Sequence, residues 1–262
     1  PTERIWMDVY LDQDGRLAKH DWCLDTGIIK NHGGEVAKPK GFYITILNKM
    51  KYILEKDLGH KGISCFILEK GWVGFEMGKL EDKLGIRASD TCELYFDNVK
   101  IPLENLVGSE GEGFKIALAT LDGGRIGIAA QALGIAEASL LASVSYSKDR
   151  IQFGKPLASN QAIQFKIADM AMEIEAARLM VRKAAMTKDQ KKQNFGLFAS
   201  MAKVYSSEVA MRASTQCVQI HGGYGYMQES GVERLMRDAK ITQIYEGTSE
   251  IQRIVIAREI LK

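Results

Sequence analysis

The sequence predicts an α+β protein in which a small antiparallel β domain, residues 1–110, is followed by an antiparallel four-helix bundle, residues 111–262. Short β-like runs alternate with glycine-rich turns up to about residue 110, and long apolar stripes at helical spacing follow. The connections between these stripes are short, which favours antiparallel neighbouring helices. A chain of 262 residues is long enough for two domains with substantial cores.

The strands of the first domain are recognised by β-branched and aromatic runs that end at turn signals. Ile63–Leu68 and Cys92–Phe96 are the clearest, and Val99–Ile101 is a third candidate because Pro102 suits a strand end. The short spacing between these runs favours antiparallel pairing over βαβ units. Met50–Asp57 could form either a helix or a strand.

Four helices are predicted in the second domain. Three of them cover about 112–149, 160–188 and 197–220, and the fourth follows Thr248. In the second helix, apolar residues recur at intervals of three and four and so share one face. These residues are Ile163, Ile167, Met170, Ile174, Ala177, Val181 and Ala184.

The last helix has a start signal of its own. Ser249 is followed three residues later by Gln252, which fits a capping box with Ser249 as the N-cap. The apolar residues of this helix are expected to face the protein interior. They are Ile251, Ile254, Val255 and Ile260.

Composition argues against several classes of function. The net charge of +2 gives no strong attraction to nucleic acid or to an anionic membrane. No apolar run approaches the roughly 20 residues of a membrane helix, and no signal-peptide pattern opens the sequence. The four cysteines form no C-x-x-C pair and are interpreted as reduced, which suits a bacterial cytoplasm or a mitochondrial matrix. The histidines have no metal-ligand spacing, so no metal is expected.

Common catalytic and nucleotide-binding motifs are also missing from the sequence. There is no G-x-x-x-x-G-K-[ST] loop and no G-x-S-x-G elbow. The glycine-rich segments Gly108–Gly113 and Gly222–Gly225 do not match a dinucleotide fingerprint after a strand. Taken alone, Glu246 fits a carboxylate that a helix dipole favours near the start of a helix.

Five segments change this interpretation when they are considered together. They are Gly85–Thr91, Leu121–Arg125, Asp149–Gly154, Gln219–Gly225 and Arg237–Glu250. In this order and spacing they resemble the acyl-CoA dehydrogenase family, with the closest likeness to the short-chain, butyryl-CoA type. The resemblance extends from about Gly59 to Lys262, and the last segment alone is highly specific.

The resemblance implies an oxidoreductase of fatty-acid β-oxidation, a flavoprotein that converts a short-chain acyl-CoA to the trans-2-enoyl-CoA. Glu246, in Tyr-Glu-Gly-Thr-Ser, is then the base that removes the α-proton. FAD is the implied hydride acceptor, because no side chain can take that role. An electron-transferring flavoprotein is the implied partner for reoxidation.

The same resemblance implies binding roles for further residues. For the acyl-CoA substrate they are Asp122, Gly123, Gly124, Arg125 and Gly247. For FAD they are Arg150, Gln161, Gln219, Ile220, His221, Gly222, Gly223, Thr248, Ser249 and Glu250. Arg150 and Gln161 match contacts made across a subunit interface, so a homo-oligomer, a dimer of dimers, is expected.

Structural roles compete with some of these assignments. Asp122 and Arg125 also suit an i, i+3 ion pair on a helix, and Arg150 suits a surface salt bridge. Residues 1–58 depart from the family, which carries a helical domain before the β domain and flavin-ring segments that are not recognisable here. The alternative hypothesis is therefore a truncated, catalytically silent assembly module with the same fold, which retains no FAD.

Overall fold

The computed structural model describes residues 42–48 and 59–262. The segment Met50–Asp57, predicted as either helix or strand, lies outside the described residues. The described residues form two compact units. The first contains the residues up to Thr120 apart from Leu84–Ile86, and the second contains Leu84–Ile86 together with Leu121–Lys262.

The first unit contains two small antiparallel sheets. Its strands are β1 (Phe42–Asn48), β2 (Ile63–Glu69), β3 (Phe75–Leu80), β4 (Cys92–Phe96) and β5 (Leu106–Val107). One sheet has the order β1–β2–β5, and the other pairs β3 with β4. The antiparallel pairing and the strands at Ile63–Leu68 and Cys92–Phe96 are confirmed.

The predicted strand at Val99–Ile101 is wrong. Asn98 has a φ of +51°, which turns the chain away from an extended path immediately after β4. Pro102 then caps a short 3₁₀ turn, Leu103–Asn105, and the next strand, β5, which pairs with β2, begins only after this turn. Apolar residues before a proline therefore form a connection here.

The second unit contains most of the helical structure, and the four predicted helices are confirmed within a few residues of their expected bounds. The helices are α1 (Gly113–Asp149), α2 (Gln161–Asp189), α3 (Phe195–His221), α4 (Gly223–Tyr226), α5 (Val232–Thr242) and α6 (Ser249–Ile260). A small hairpin, β6 (Ile151–Gln152) and β7 (Lys155–Pro156), connects α1 to α2. The sequence analysis missed α4, α5 and this hairpin.

Alanine dominates the core of the bundle. Ala132 and Ala136 of α1, Ala177 of α2 and Ala210 of α3 have almost no exposed surface. Small side chains at these positions allow the helix backbones to approach closely. The predicted α2 stripe is confirmed, because its residues are buried in this core or packed against it.

By length and composition alone, α1 could also cross a membrane. Four of its residues, Ile126, Ala129, Ala132 and Ala136, are fully buried in the bundle core. A core helix of a globular bundle has these same properties. One such helix is weak evidence for a membrane span.

Two details of α6 differ from expectation. The N-cap is Thr248, whose side-chain oxygen accepts a hydrogen bond from the backbone N–H of Ile251, and Ser249 is the first helical residue. Ile251, Ile254 and Ile260 are about half exposed, so the expected inward apolar face is wrong for the single chain. Spacing identifies residues that share a face, but it does not identify the surface that covers this face.

Candidate active site

Glu246 lies on the short connection between α5 and α6, as predicted. Its backbone has a φ of +53°, and Gly247 follows with a φ of +88°. A left-handed conformation costs a residue with a side chain about 1–2 kcal/mol, whereas glycine adopts it readily. Strained backbone of this kind is concentrated at functional sites, where surrounding contacts hold it in place.

The Glu246 carboxylate lies directly against α1. A Cβ atom on Gly124 would be 2.4 Å from Oε2 of Glu246 and 2.8 Å from its Cδ. Gly124 therefore leaves the space that the carboxylate occupies, and its neighbour Gly123 is buried beside it. Oε2 of Glu246 is shielded from solvent.

Asp122 and Arg125 form the i, i+3 ion pair that their spacing allows, with 2.6 Å between Oδ1 and Nη1. Arg125 is only 6% exposed, and its Nη1 also donates to Oγ of Ser200 at 3.3 Å. Among the residues that the structure describes, its Nε has no hydrogen-bond partner. Burial raises the pKa of Asp122, and the Arg125 charge partly offsets this effect.

Two fully buried side chains hold the turn that carries Glu246. Nζ of Lys203, on α3, donates to the carbonyl oxygen of Gly247 at 2.7 Å. Nε2 of Gln252, on α6, donates to the carbonyl oxygens of Glu246 at 3.0 Å and Gly247 at 2.9 Å. Lys203 and Gln252 both have 0% exposed surface.

The sequence analysis missed Lys203 and gave Gln252 only a capping role. A signal for Lys203 is present in α3, because Ala199, Lys203, Ser206 and Ala210 are spaced four, three and four residues apart and so share one buried face. Burial lowers the pKa of Lys203 to about 8, although the nearby Glu246 charge opposes this shift. A lysine inside such a stripe indicates a buried polar partner.

Several residues predicted to bind FAD line a second feature of the same unit. Arg150, Ile220, His221, Gly222 and Gly223 border an open cavity of about 660 Å³. The remaining residues of its wall are Tyr146, Gln152, Leu157, Tyr224 and Met227. The hairpin after α1 and the end of α3 thus bring together residues that are distant in sequence.

The chemistry of this cavity suits a phosphate-bearing group with an aromatic part. Gly222 ends α3 with a φ of +60°, and no heavy atom of the described chain would meet a Cβ on Gly222 or Gly223. The backbone is therefore open to close approach. The Arg150 guanidinium lies 5.3 Å from the centre of the Tyr224 ring, so a planar donor group and an aromatic face are adjacent.

His221 is held firmly at the edge of this cavity. Its ring stacks on Tyr146 with 4.1 Å between ring centres, and Nδ1 is 2.8 Å from the carbonyl oxygen of Cys217. Since a carbonyl only accepts, Nδ1 carries a hydrogen and donates to it. Burial raises the pKa of the Cys217 thiol, which keeps this residue protonated.

The remaining predicted FAD residues do not join the cavity wall. Gln219 lies in the last turn of α3, where its carbonyl accepts from the Gly222 N–H, and Gln161 is exposed at the start of α2. Residues 248–250 form the start of α6, beside the Glu246 turn. Hydrogen bonds from its own backbone N–H and from Thr248 lower the pKa of the exposed Glu250.

Comparison with known proteins identifies the family. Residues 111–261 match the model of the acyl-CoA dehydrogenase C-terminal domain, so the chain belongs to the acyl-CoA dehydrogenase family. Within it, the chain is 59% identical over 208 residues to the short-chain specific acyl-CoA dehydrogenase of Megasphaera elsdenii. That match covers 79% of this chain and 54% of the relative, so the chain spans about half the length of the curated relatives it matches.

Solved structures agree with this assignment. Butyryl-CoA dehydrogenase from Megasphaera elsdenii is 56% identical with a TM-score of 0.80, covering 84% of this chain and 56% of that chain. A structure described as the electron-transferring flavoprotein of Acidaminococcus fermentans is 54% identical with a TM-score of 0.80, covering 84% and 57%. The predicted fold class and the resemblance to short-chain acyl-CoA dehydrogenases are confirmed.

Proposed function

We propose that the protein containing this chain catalyses the FAD-dependent α,β-dehydrogenation of a short-chain acyl-CoA, with Glu246 as the base. The observation that carries this proposal is the placement of the Glu246 carboxylate, which lies on a left-handed turn against Gly124 with its Oε2 shielded from solvent. The 59% identity to a short-chain specific acyl-CoA dehydrogenase supports the same reaction class.

In this mechanism Glu246 takes the α-proton of the thioester. The thioester carbonyl acidifies that proton, but its removal still requires a base at a fixed position. The turn provides this position, because its carbonyls are bonded to buried donors and its carboxylate lies against Gly124 of α1. The charge of the buried Lys203 interacts with that of Glu246, and a nearby cation favours the ionised form of a carboxylate, which is the form that accepts a proton.

The open cavity lined by Arg150, His221, Gly222 and Gly223 is the proposed site for the phosphate-bearing part of FAD. Arg150 would contribute a planar donor group, and the two glycines would allow close backbone approach. Thr248, Ser249 and Glu250, together with Gln161, Gln219 and Ile220, complete the proposed set. When bound, FAD supplies the two-electron acceptor for the hydride that leaves the β-carbon.

A homo-oligomer, a dimer of dimers, is proposed for the whole protein. Ile251, Ile254 and Ile260 of α6, with Leu261 directly after it, form an exposed apolar surface in the single chain, and such a surface suits burial against another subunit. An electron-transferring flavoprotein is proposed as the electron acceptor, with support from a similar structure described by that name. The proposed compartment is a bacterial cytoplasm or a mitochondrial matrix.

The substitution Glu246→Gln tests the proposed base. It preserves the shape of the side chain and removes its basicity, so the fold and the flavin absorbance spectrum should be unchanged. The rate of flavin reduction by butyryl-CoA, followed by rapid mixing, should fall by about 10²- to 10⁴-fold, which is the usual contribution of a general base. Glu229→Gln, at an exposed turn outside the site, is the matched control and should react at the wild-type rate.

Two results would contradict this proposal. Wild-type flavin reduction by Glu246→Gln would assign Glu246 a purely structural role at the start of α6. A full-length protein that is folded and oligomeric but shows no flavin absorbance after reconstitution would favour the silent assembly module instead.

A further inference from the structure

The turn Ile244–Gly247 is held by a pair of buried donors, Lys203 and Gln252, that lie outside the five family-like segments of the sequence. Two carbonyl oxygens, those of Glu246 and Gly247, point towards the interior and receive three hydrogen bonds from two side chains. Lys203 reaches them from α3 and Gln252 from α6, so the turn is bonded to two different helices. Both side chains are fully buried.

We propose that Lys203 and Gln252 are positioning residues that fix the left-handed turn at Glu246 and thereby aim its carboxylate. This inference rests on the proposed role of Glu246 as the base. Glu246 adopts a backbone conformation that a residue with a side chain avoids unless its surroundings impose it. The three hydrogen bonds act on the carbonyls of Glu246 and Gly247 themselves, so they contribute directly to holding this conformation.

The two donors differ in what they contribute. Gln252 is neutral and bridges both carbonyls, so it acts through geometry alone. Lys203 bonds only to the Gly247 carbonyl but also carries a charge that interacts with Glu246. It should therefore both hold the turn and favour the ionised carboxylate.

Other charges near Lys203 do not cancel the effect of its charge on the Glu246 carboxylate. Arg125 repels it, while Glu250 attracts it from the start of α6. Arg125 is itself paired with Asp122, and Asp122 also faces Glu259 of α6. None of these groups replaces the hydrogen bond from Lys203 to the turn.

The space around Gly247 shows how tightly the donors fit. A Cβ atom on Gly247 would lie 2.6 Å from Nε2 of Gln252. A side chain at this position would push the amide away from both carbonyls. Gly247 is therefore required for its conformation and also for the approach of Gln252.

The test compares Lys203→Met and Gln252→Leu in the full-length, FAD-loaded protein. Each substitution keeps most of the side-chain volume and removes the donor. Both variants should retain FAD and bind butyryl-CoA within about threefold of wild type, while the limiting rate of flavin reduction falls about 10- to 10²-fold, as expected when a catalytic group is misplaced by up to about 1 Å. Lys183→Met, which removes an exposed lysine of α2, is the matched control and should leave the rate unchanged.

The pH profile separates positioning from a merely structural role. In Lys203→Met the acid limb of the flavin-reduction rate should move to higher pH, because a cation that interacts with Glu246 and favours the ionised carboxylate is lost. In Gln252→Leu the rate should fall while the acid limb stays at its wild-type pH. Loss of stability alone would move neither the limb nor the rate per folded, flavin-loaded molecule.

Several outcomes would overturn the inference. It fails if both variants reduce flavin at the wild-type rate. It also fails if Gln252→Leu reacts at the wild-type rate while Lys203→Met is slower with its acid limb at the wild-type pH. If Lys203→Met does not fold, the rate of Gln252→Leu decides the question. If Glu246→Gln is inactive while both variants react normally, only the positioning role is lost; if Glu246→Gln reacts normally, the proposed function itself is lost.

Discussion

Gly124→Ala should lower the reaction rate while it changes the stability of the protein little. The added Cβ would lie 2.4 Å from Oε2 of Glu246, whereas ordinary van der Waals contact begins at 3.4 Å. The obstructing atoms belong to the end of a flexible side chain, so the carboxylate can move aside while the backbone stays in place. The substitution should therefore displace the base without unfolding the bundle.

The expected magnitudes follow from this distance. The carboxylate must move by about 1 Å, and a displacement of this size costs a reacting group roughly 10²-fold in rate. Stability should change little, because alanine is favoured over glycine inside a helix by about 1 kcal/mol, which offsets part of the steric cost. FAD content should be unchanged, since Gly124 is not part of the cavity that contains Arg150.

Rapid-mixing absorbance and thermal unfolding measure these two effects separately. Gly134→Ala is the matched control, since it lies on the same helix and a Cβ there would meet no heavy atom of the described chain within 4 Å. It should raise the free energy of unfolding by about 0.5–1 kcal/mol and leave the rate unchanged. If Gly124→Ala reduced flavin as fast as wild type, the carboxylate would not work from the position seen here.

Three further predictions concern the cofactor, the substrate and pH. Arg150→Ala should weaken FAD retention more than it lowers the melting temperature, and Arg182→Ala, an exposed arginine of α2, should do neither; normal FAD retention would remove Arg150 from the cofactor site. Rates measured with thioesters of increasing length should peak at C4 to C6, and a peak at long chains would remove the short-chain assignment while leaving the reaction class intact. The pKa of Lys203 is lowered from 10.5 to about 8 in the folded protein. Between these two pH values the lysine is therefore protonated in the unfolded chain and mostly neutral in the folded protein. The free energy of unfolding of the wild type minus that of Lys203→Met should therefore rise with pH in this window, by up to about 1.4 kcal/mol per pH unit, and stay constant outside it. A difference that is constant at every pH would contradict the buried lysine.

Apolar periodicity and turn chemistry predict most helices of the second unit, because in a long helix apolar residues recur many times at intervals of three and four. The α2 stripe covers more than five turns, and its residues are in the core as expected. By contrast, α5 has only 11 residues and lies within a segment that is dominated by motif residues. A short helix leaves too few repeats to be distinguished from a loop.

The error in α6 has a different physical origin. Ile251 and Ile254 do share a face, and the spacing identifies this correctly. Whether such a face meets the chain's own core or another subunit depends on tertiary and quaternary packing, which spacing does not encode. The residues of α6 that are buried in the single chain are polar, Ser249 and Gln252.

The candidate site shows the same division between local and long-range information. Glu246 is found from the sequence because its neighbours form a specific motif. The contact between Lys203 and Gly247 joins residues 44 positions apart, and its acceptor is a backbone carbonyl. Since every residue has such a carbonyl, the acceptor leaves no mark in the sequence, and only the donor can be noticed. A lysine on a buried helical face shows that an acceptor must exist, because a charged group in the interior without a partner is strongly unfavourable. The fold then determines that this acceptor is the turn carrying the proposed base.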